Sequence, residues 1–132
     1  MYLVDTNVWS ELLLEQEKAE RVCRFLAATE GRLLWITEFS LYSIGIILTR
    51  LKKDNLFEDF LSDALEDSGV VKVRLETPEL KQLLAIRRKF HLDFDDAYQY
   101  AIAEKYALTV VSFDADFDRT RRGRKTPVEL LS

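Results

Sequence analysis

The sequence is poor in the residues that mark loose or covalently braced chains. Its 132 residues include 4 glycines, 2 prolines, 1 cysteine and 1 histidine. So little glycine and proline excludes a collagenous stretch and a long flexible linker. The lone cysteine, Cys23, excludes an intramolecular disulfide and a multi-cysteine zinc site, and reads as a small core residue. No apolar run approaches the ~20 residues of a membrane span; the longest is Leu41 to Leu48. The opening Met1-Tyr2-Leu3-Val4-Asp5 has neither a basic region nor a long apolar stretch, against a secretory signal. What is present, 48% apolar and 32% charged residues, is the balance of a globular chain. The expectation is one domain over residues 1–132, cytoplasmic and away from membranes.

Charge is slightly acidic in sum, with 19 Lys/Arg against 23 Asp/Glu and a net charge of −4, but it is unevenly placed. Arg119, Arg121, Arg122, Arg124 and Lys125 put five cations into seven residues. Two further basic clusters, at Arg50–Lys53 and Arg87–Lys89, fit helix C-termini, where cations meet the negative end of the macrodipole. Asp93, Asp95, Asp96, Asp114, Asp116 and Asp118 crowd the stretch between. Segregated charge of this kind suits an anionic polymer held near a metal centre.

Apolar periodicity alternates short strands with helices. Strands are expected at residues 2–4, 33–36, 70–75 and 108–111, with a last edge strand at 127–131. Helices are expected at about 8–14 and 19–28, then from Thr37 as cap through 38–52, the most apolar and so the most buried. Further helices are expected around Leu56–Leu65, from Thr77-Pro78-Glu79 onward with Leu80, Leu83 and Leu84 inward, and from Asp95 or Asp96 to Tyr106. His91 reads as a helix C-terminal residue, and 113–117 as a turn or one-turn helix. Continuous rather than alternating apolar strands imply a sheet covered on both faces. The fold class is α/β: a three-layer α/β/α sandwich around a parallel sheet of four to five strands.

Asp5 ends the first strand, Asp114 follows the Leu108 strand, and Asp96 opens the helix feeding that strand. If those two strands are neighbours, the three carboxylates converge outside the carboxyl ends of the sheet, where open α/β folds place their sites. Clustered carboxylates repel unless a cation joins them. Oxygen donors without histidine or cysteine suit Mg²⁺ or Mn²⁺. Asp116 and Asp118 read as solvated turn residues. A phosphoaspartyl enzyme is disfavoured, because no second aspartate stands two positions after Asp5.

Leu3-Val4-Asp5-Thr6-Asn7-Val8, Asp95-Asp96-Ala97 with Ala101 and Ala103, and Val110-Val111-Ser112-Phe113-Asp114-Ala115-Asp116-Phe117 together resemble the PIN domain, in its VapC-like toxin branch. The resemblance spans essentially the whole chain. It implies a Mg²⁺- or Mn²⁺-dependent endoribonuclease on single-stranded RNA, the toxin of a type II toxin–antitoxin pair, homodimeric and bound by an antitoxin. Asp5, Asp96 and Asp114 match three of the family's acids, and Thr6 or Asn7 and Ser112 match polar residues that orient them. Arg119, Arg121, Arg122, Arg124 and Lys125 are the candidates for holding the RNA backbone. The family's second acid, a glutamate in the helix after the second strand, falls at Ser43, which is not acidic. Glu38 is the nearest substitute, turned about 140° around the helix from Ser43. That departure leaves a second reading, a catalytically weakened PIN fold that binds RNA or a protein.

Overall fold

A computed structural model describes residues 1–131. Four strands form one all-parallel sheet: β1 (Tyr2–Val4), β2 (Leu34–Thr37), β3 (Val71–Val73) and β4 (Thr109–Val111). Their spatial order is β3-β2-β1-β4. The chain therefore steps outward from β1 to β3 and returns to the other side of β1. That reversal makes the β1/β4 boundary a topological switch point, and the adjacency assumed from sequence is present.

Alternate strand residues feed two separate cores. Val4, Ile36 and Val111 face α1 (Thr6–Leu13), α2 (Ala19–Ala27), α3 (Glu38–Arg50) and α4 (Asp54–Phe60), with Val8, Phe25, Ile44 and Phe60. Leu3 and Val110 face α5 (Thr77–Phe90) and α6 (Phe94–Tyr106), with Leu83, Ala97 and Ile102. The architecture is the expected three-layer α/β/α sandwich.

Local chemistry sets the helix limits. Thr37 caps α3, its Oγ1 accepting the Ser40 N–H at 3.0 Å. A capping box between Glu76 and Glu79 starts α5, so Glu76 rather than Thr77 is the cap. His91 ends α5 in the left-handed conformation, at φ 54°. Gly31 lets the backbone close on Ser68, whose carbonyl oxygen would lie 1.9 Å from an added Cβ.

Several expectations fail for identifiable reasons. The most buried helix is α6, not α3; Tyr42 and Ile46 of α3 are exposed, whereas Asp96 through Tyr100 of α6 are all buried. Leu80 and Leu84 are exposed and only Leu83 of that stripe is buried, because α5 covers the sheet along a narrow line. Cys23 is exposed, since Val22 and Phe25 turn the buried face of α2 away from it. Residues 127–131 form no strand. Pro127 leads into a short 3-10 turn at Val128–Leu130, and Lys125 makes the lone bridge to Val111. The Leu56–Leu65 helix changes pitch, running as α4 and then as a π-helical turn at Leu61–Asp67. No helix among the described residues is long and apolar enough to cross a membrane.

Candidate metal centre at the strand switch point

Asp5 leaves the end of β1 and is 6% exposed, and three hydrogen bonds hold its carboxylate. Oδ1 accepts the Thr6 backbone N–H at 2.8 Å and the Gln99 side-chain amide at 2.9 Å. Oδ2 accepts the Ser112 hydroxyl at 2.7 Å. Ser112 Oγ in turn accepts the Asp114 N–H at 2.9 Å, and Asn7 Oδ1 accepts the Phe113 N–H at 3.2 Å. Thr6, Asn7 and Ser112 thus stand in orienting positions around Asp5 and Asp114. Burial pushes the Asp5 carboxyl up from its ordinary range, opposed by these hydrogen bonds.

Asp96, in the first turn of α6, is also 6% exposed. Burial, a hydrogen bond with Asp114 and the charges of Asp114, Asp95 and Asp5 push its carboxyl up to about 8. So raised a carboxyl favours either a retained proton or a cation that offsets its acidic neighbours. Asp96, Asp114 and Asp116 each offer an oxygen, all within 4.8 Å of one another. The group that comes closest is therefore Asp96–Asp114–Asp116. Asp116, expected as a solvated turn residue, joins it, and Asp5 stands beside it. An all-oxygen set crowded enough to retain a proton fits a hard divalent cation.

Neither Ser43, where the second acid was expected, nor Glu38, its nearest substitute, lines this place. The cleft of about 320 Å³ is lined by Asp5, Thr6, Asn7, Ser10, Phe39, Asp95, Asp96, Gln99 and Asp114, without Glu38 or Ser43; Asp116 stands outside this lining and meets the site through Asp96 and Asp114. Glu38 instead acts on Arg74 and Tyr98. Helix α3 sends in Ser40, fully buried, which shares a hydrogen bond with Thr6 Oγ1 at 2.7 Å and accepts from Gln99 at 2.8 Å. Sequence reading missed Gln99, Ser40 and Asp95. The available signal for Gln99 was an uncharged polar residue inside the apolar run of α6, one turn beyond Asp96.

The basic run follows the free edge of β4. Arg119 binds the Phe90 and His91 carbonyls and pairs with Asp116 at 3.0 Å. Arg122 donates to the Leu108 carbonyl at 3.0 Å, and Arg124 to the Ser112 carbonyl at 3.1 Å and to Asp118. The side chains of Arg121 and Lys125 make no hydrogen bond or ion pair among the described residues. Together with Arg122 and Arg124 they line a groove of 370 Å³, with Leu108 and Thr109 and no acid.

Residues 2–123 match the family model of the PIN domain. The chain belongs to the PIN-domain family. Solved structures resemble this PIN domain over nearly all its length. A toxin–antitoxin complex from Klebsiella pneumoniae has a TM-score of 0.78 at 18% identity, covering 98% of this chain and 100% of that one. FitAcB from Neisseria gonorrhoeae gives 0.75 at 23%, covering 98% and 100%. VapC20 of Mycobacterium tuberculosis, described as a Sarcin-Ricin loop cleaving toxin, gives 0.73 at 19%, covering 89% and 93%. At such identities these likenesses speak for the fold. No curated protein matches the chain in sequence.

Proposed function

We propose that this PIN domain is a divalent-metal-dependent endoribonuclease acting on single-stranded RNA, and the toxin of a toxin–antitoxin pair with a protein antitoxin as partner. The observation that carries the reading is the meeting of Asp96, Asp114 and Asp116 oxygens within 4.8 Å beside Asp5, at the carboxyl ends of β1 and β4. Family membership and the toxin–antitoxin neighbours support it.

Asp96, Asp114 and Asp116 would hold Mg²⁺ or Mn²⁺, with Asp5 beside them. Such an ion, when bound, supplies Lewis acidity toward a phosphodiester and acidifies water. The chain's own part is to fix the carboxylates. Ser112 and Asn7 tie the end of β4 to Asp5, so the four acids share one frame. Asp96, its carboxyl raised by burial and its acidic neighbours, would serve as a ligand in its ionised form. Arg121 and Lys125, unengaged along the β4 edge, draw the RNA backbone toward the cleft without reading its sequence.

The test is cleavage of an unstructured RNA with Mg²⁺ or Mn²⁺, with EDTA, and with Asp96→Asn. Cleavage restricted to metal-loaded wild type supports the reading, and cleavage that persists in EDTA removes it. The second reading, a fold that binds RNA or a protein without cutting, is favoured by the neutral Ser40 and Gln99 beside Asp5. It predicts RNA or antitoxin binding with no cleavage in either metal.

A further inference from the structure

We propose that Gln99 is a positioning residue that fills Oδ1 of Asp5 and leaves Oδ2 as the oxygen Asp5 offers to a cation in the cleft. The inference rests on the metal-site part of the reading above.

A glutamine 1% exposed, on the face of α6 that otherwise buries Ala97, Tyr100, Ile102 and Ala103, needs every polar atom matched. Here each is. Gln99 Oε1 accepts the Thr37 hydroxyl at 2.8 Å, and Nε2 donates to Asp5 Oδ1 at 2.9 Å and to Ser40 Oγ at 2.8 Å. The direction of the amide is fixed from outside. Thr37 Oγ1 accepts the Ser40 N–H and donates its own proton to Gln99 Oε1. A flipped amide would turn its carbonyl against the Asp5 carboxylate. Nε2 must therefore face Asp5.

The two oxygens of Asp5 then differ. Oδ1 has both lone-pair directions occupied, by Thr6 N–H and by Gln99. Oδ2 accepts only Ser112 and keeps one direction open. Because Gln99 lies one helical turn after Asp96, the helix that presents Asp96 also sets the orientation of Asp5. Ser40, on the far side of the same amide, is a neutral support where α3 brings no acid to the cleft lining. A neutral clamp holds Asp5 without adding charge to a site already crowded with carboxylates.

The experiment uses the full chain and reads Mn²⁺ affinity by calorimetry without RNA, alongside melting in EDTA and KM and kcat on RNA. Gln99→Met keeps the volume and removes both donors. Mn²⁺ affinity should fall about tenfold or more, the scale for lost outer-sphere partners of a metal site, and kcat should fall with KM little changed. Glu79→Gln, in the capping box of α5 and outside the cleft, should lower the melting temperature but leave Mn²⁺ affinity unchanged. If Gln99→Met does not fold, Thr37→Val, which leaves Gln99 Oε1 without its donor and loosens the amide against Asp5, should weaken Mn²⁺, whereas Thr37→Ser should restore wild-type affinity. A folded Gln99→Met, or a Thr37→Val, that binds Mn²⁺ as wild type does overturns the inference. Wild type that binds Mn²⁺ but cuts no RNA overturns the nuclease reading alone. Wild type that binds no Mn²⁺ overturns both the metal centre and the role of Gln99.

Discussion

The Asp5 amide donates to the Val111 carbonyl at 2.9 Å, so the end of β1 is hydrogen-bonded to the end of β4. From that one contact the site follows. Asp5 emerges on one strand, Ser112 and Asp114 on its neighbour, and the serine hydroxyl bridges them. Asn7, two residues beyond Asp5, reaches across to the Phe113 N–H and to Ser112 Oγ.

Asn7→Ala should therefore act on geometry rather than charge. It leaves the Phe113 N–H without its partner, and a lost hydrogen bond of this kind costs about 1 kcal/mol. Denaturant melts should show that modest loss, whereas RNA cleavage should fall much further because the end of β4 that carries Asp114 loses its tie to Asn7. A full loss of stability with cleavage per folded molecule unchanged would make Asn7 a structural residue only.

Glu38 and Ser40 separate two ideas about the missing acid. Glu38→Gln should be nearly silent in cleavage and metal binding, because Glu38 does not line the cleft. Ser40→Glu puts a carboxylate into a fully buried place already shared with Gln99, Thr6 and Asp5. It should lower the melting temperature in EDTA and recover part of the loss with Mn²⁺. A Glu38→Gln protein as impaired as Asp96→Asn would show that the cleft reorganises to recruit Glu38.

Asp5, Asp96 and Asp114 were legible because each follows from a rule that local sequence displays: an acid closing an apolar strand, or opening a helix. The two covered sheet faces were legible for the same reason, from unbroken apolar runs. Asp116 was not, because its place depends on the 3-10 turn at Ala115–Arg119 folding back toward α6. Gln99 and Ser40 were not, because a neutral residue gains meaning only from partners 34 to 94 positions away. The α3 prediction failed through the opposite error. Apolar count stood in for burial, yet Tyr42 and Ile46 lie on a face the sheet does not cover.

The five cations of the basic run should divide by mutation. Arg121→Gln and Lys125→Gln should leave the melting temperature unchanged, because neither side chain holds the fold. Each should lessen the slope of log RNA affinity against log salt by ~0.7, the single-strand value for one lost phosphate contact. Arg122→Gln and Arg124→Gln should instead lower stability, since the Leu108 and Ser112 carbonyls lose charged donors. Salt slopes unchanged in the Arg121 and Lys125 variants would move the RNA path off the β4 edge.

The raised carboxyl of Asp96 gives the metal-free protein a pH dependence of definite sign. Its carboxyl titrates at about 8 in the folded chain against 3.8 ordinarily, so between those values the folded state holds a proton that the unfolded state has lost. Stability from this group is complete below about pH 4, declines as pH rises, and is gone above its folded value. Melting temperature in EDTA should fall from pH 5 to pH 8. Asp96→Asn keeps a donor toward Asp114 at every pH and removes the charge, so its melting temperature should be nearly flat over that range. At pH 8 in EDTA it should exceed wild type by ~1 kcal/mol or more, since one pKa unit corresponds to ~1.4 kcal/mol. Asp5→Asn should not share this gain. Its amide nitrogen would face the Ser112 hydroxyl, which already accepts from Asp114 and Asn7 and would lose the acceptor for its own proton. Mn²⁺ should abolish the wild-type decline, because binding favours the ionised carboxylates and grows with pH. Melting curves for wild type, Asp96→Asn and Asp5→Asn at pH 5 and pH 8, with EDTA and with Mn²⁺, decide it. A wild type whose EDTA melting temperature rises from pH 5 to pH 8 would place no retained proton at Asp96, and the argument for a cation in its place would fall with it.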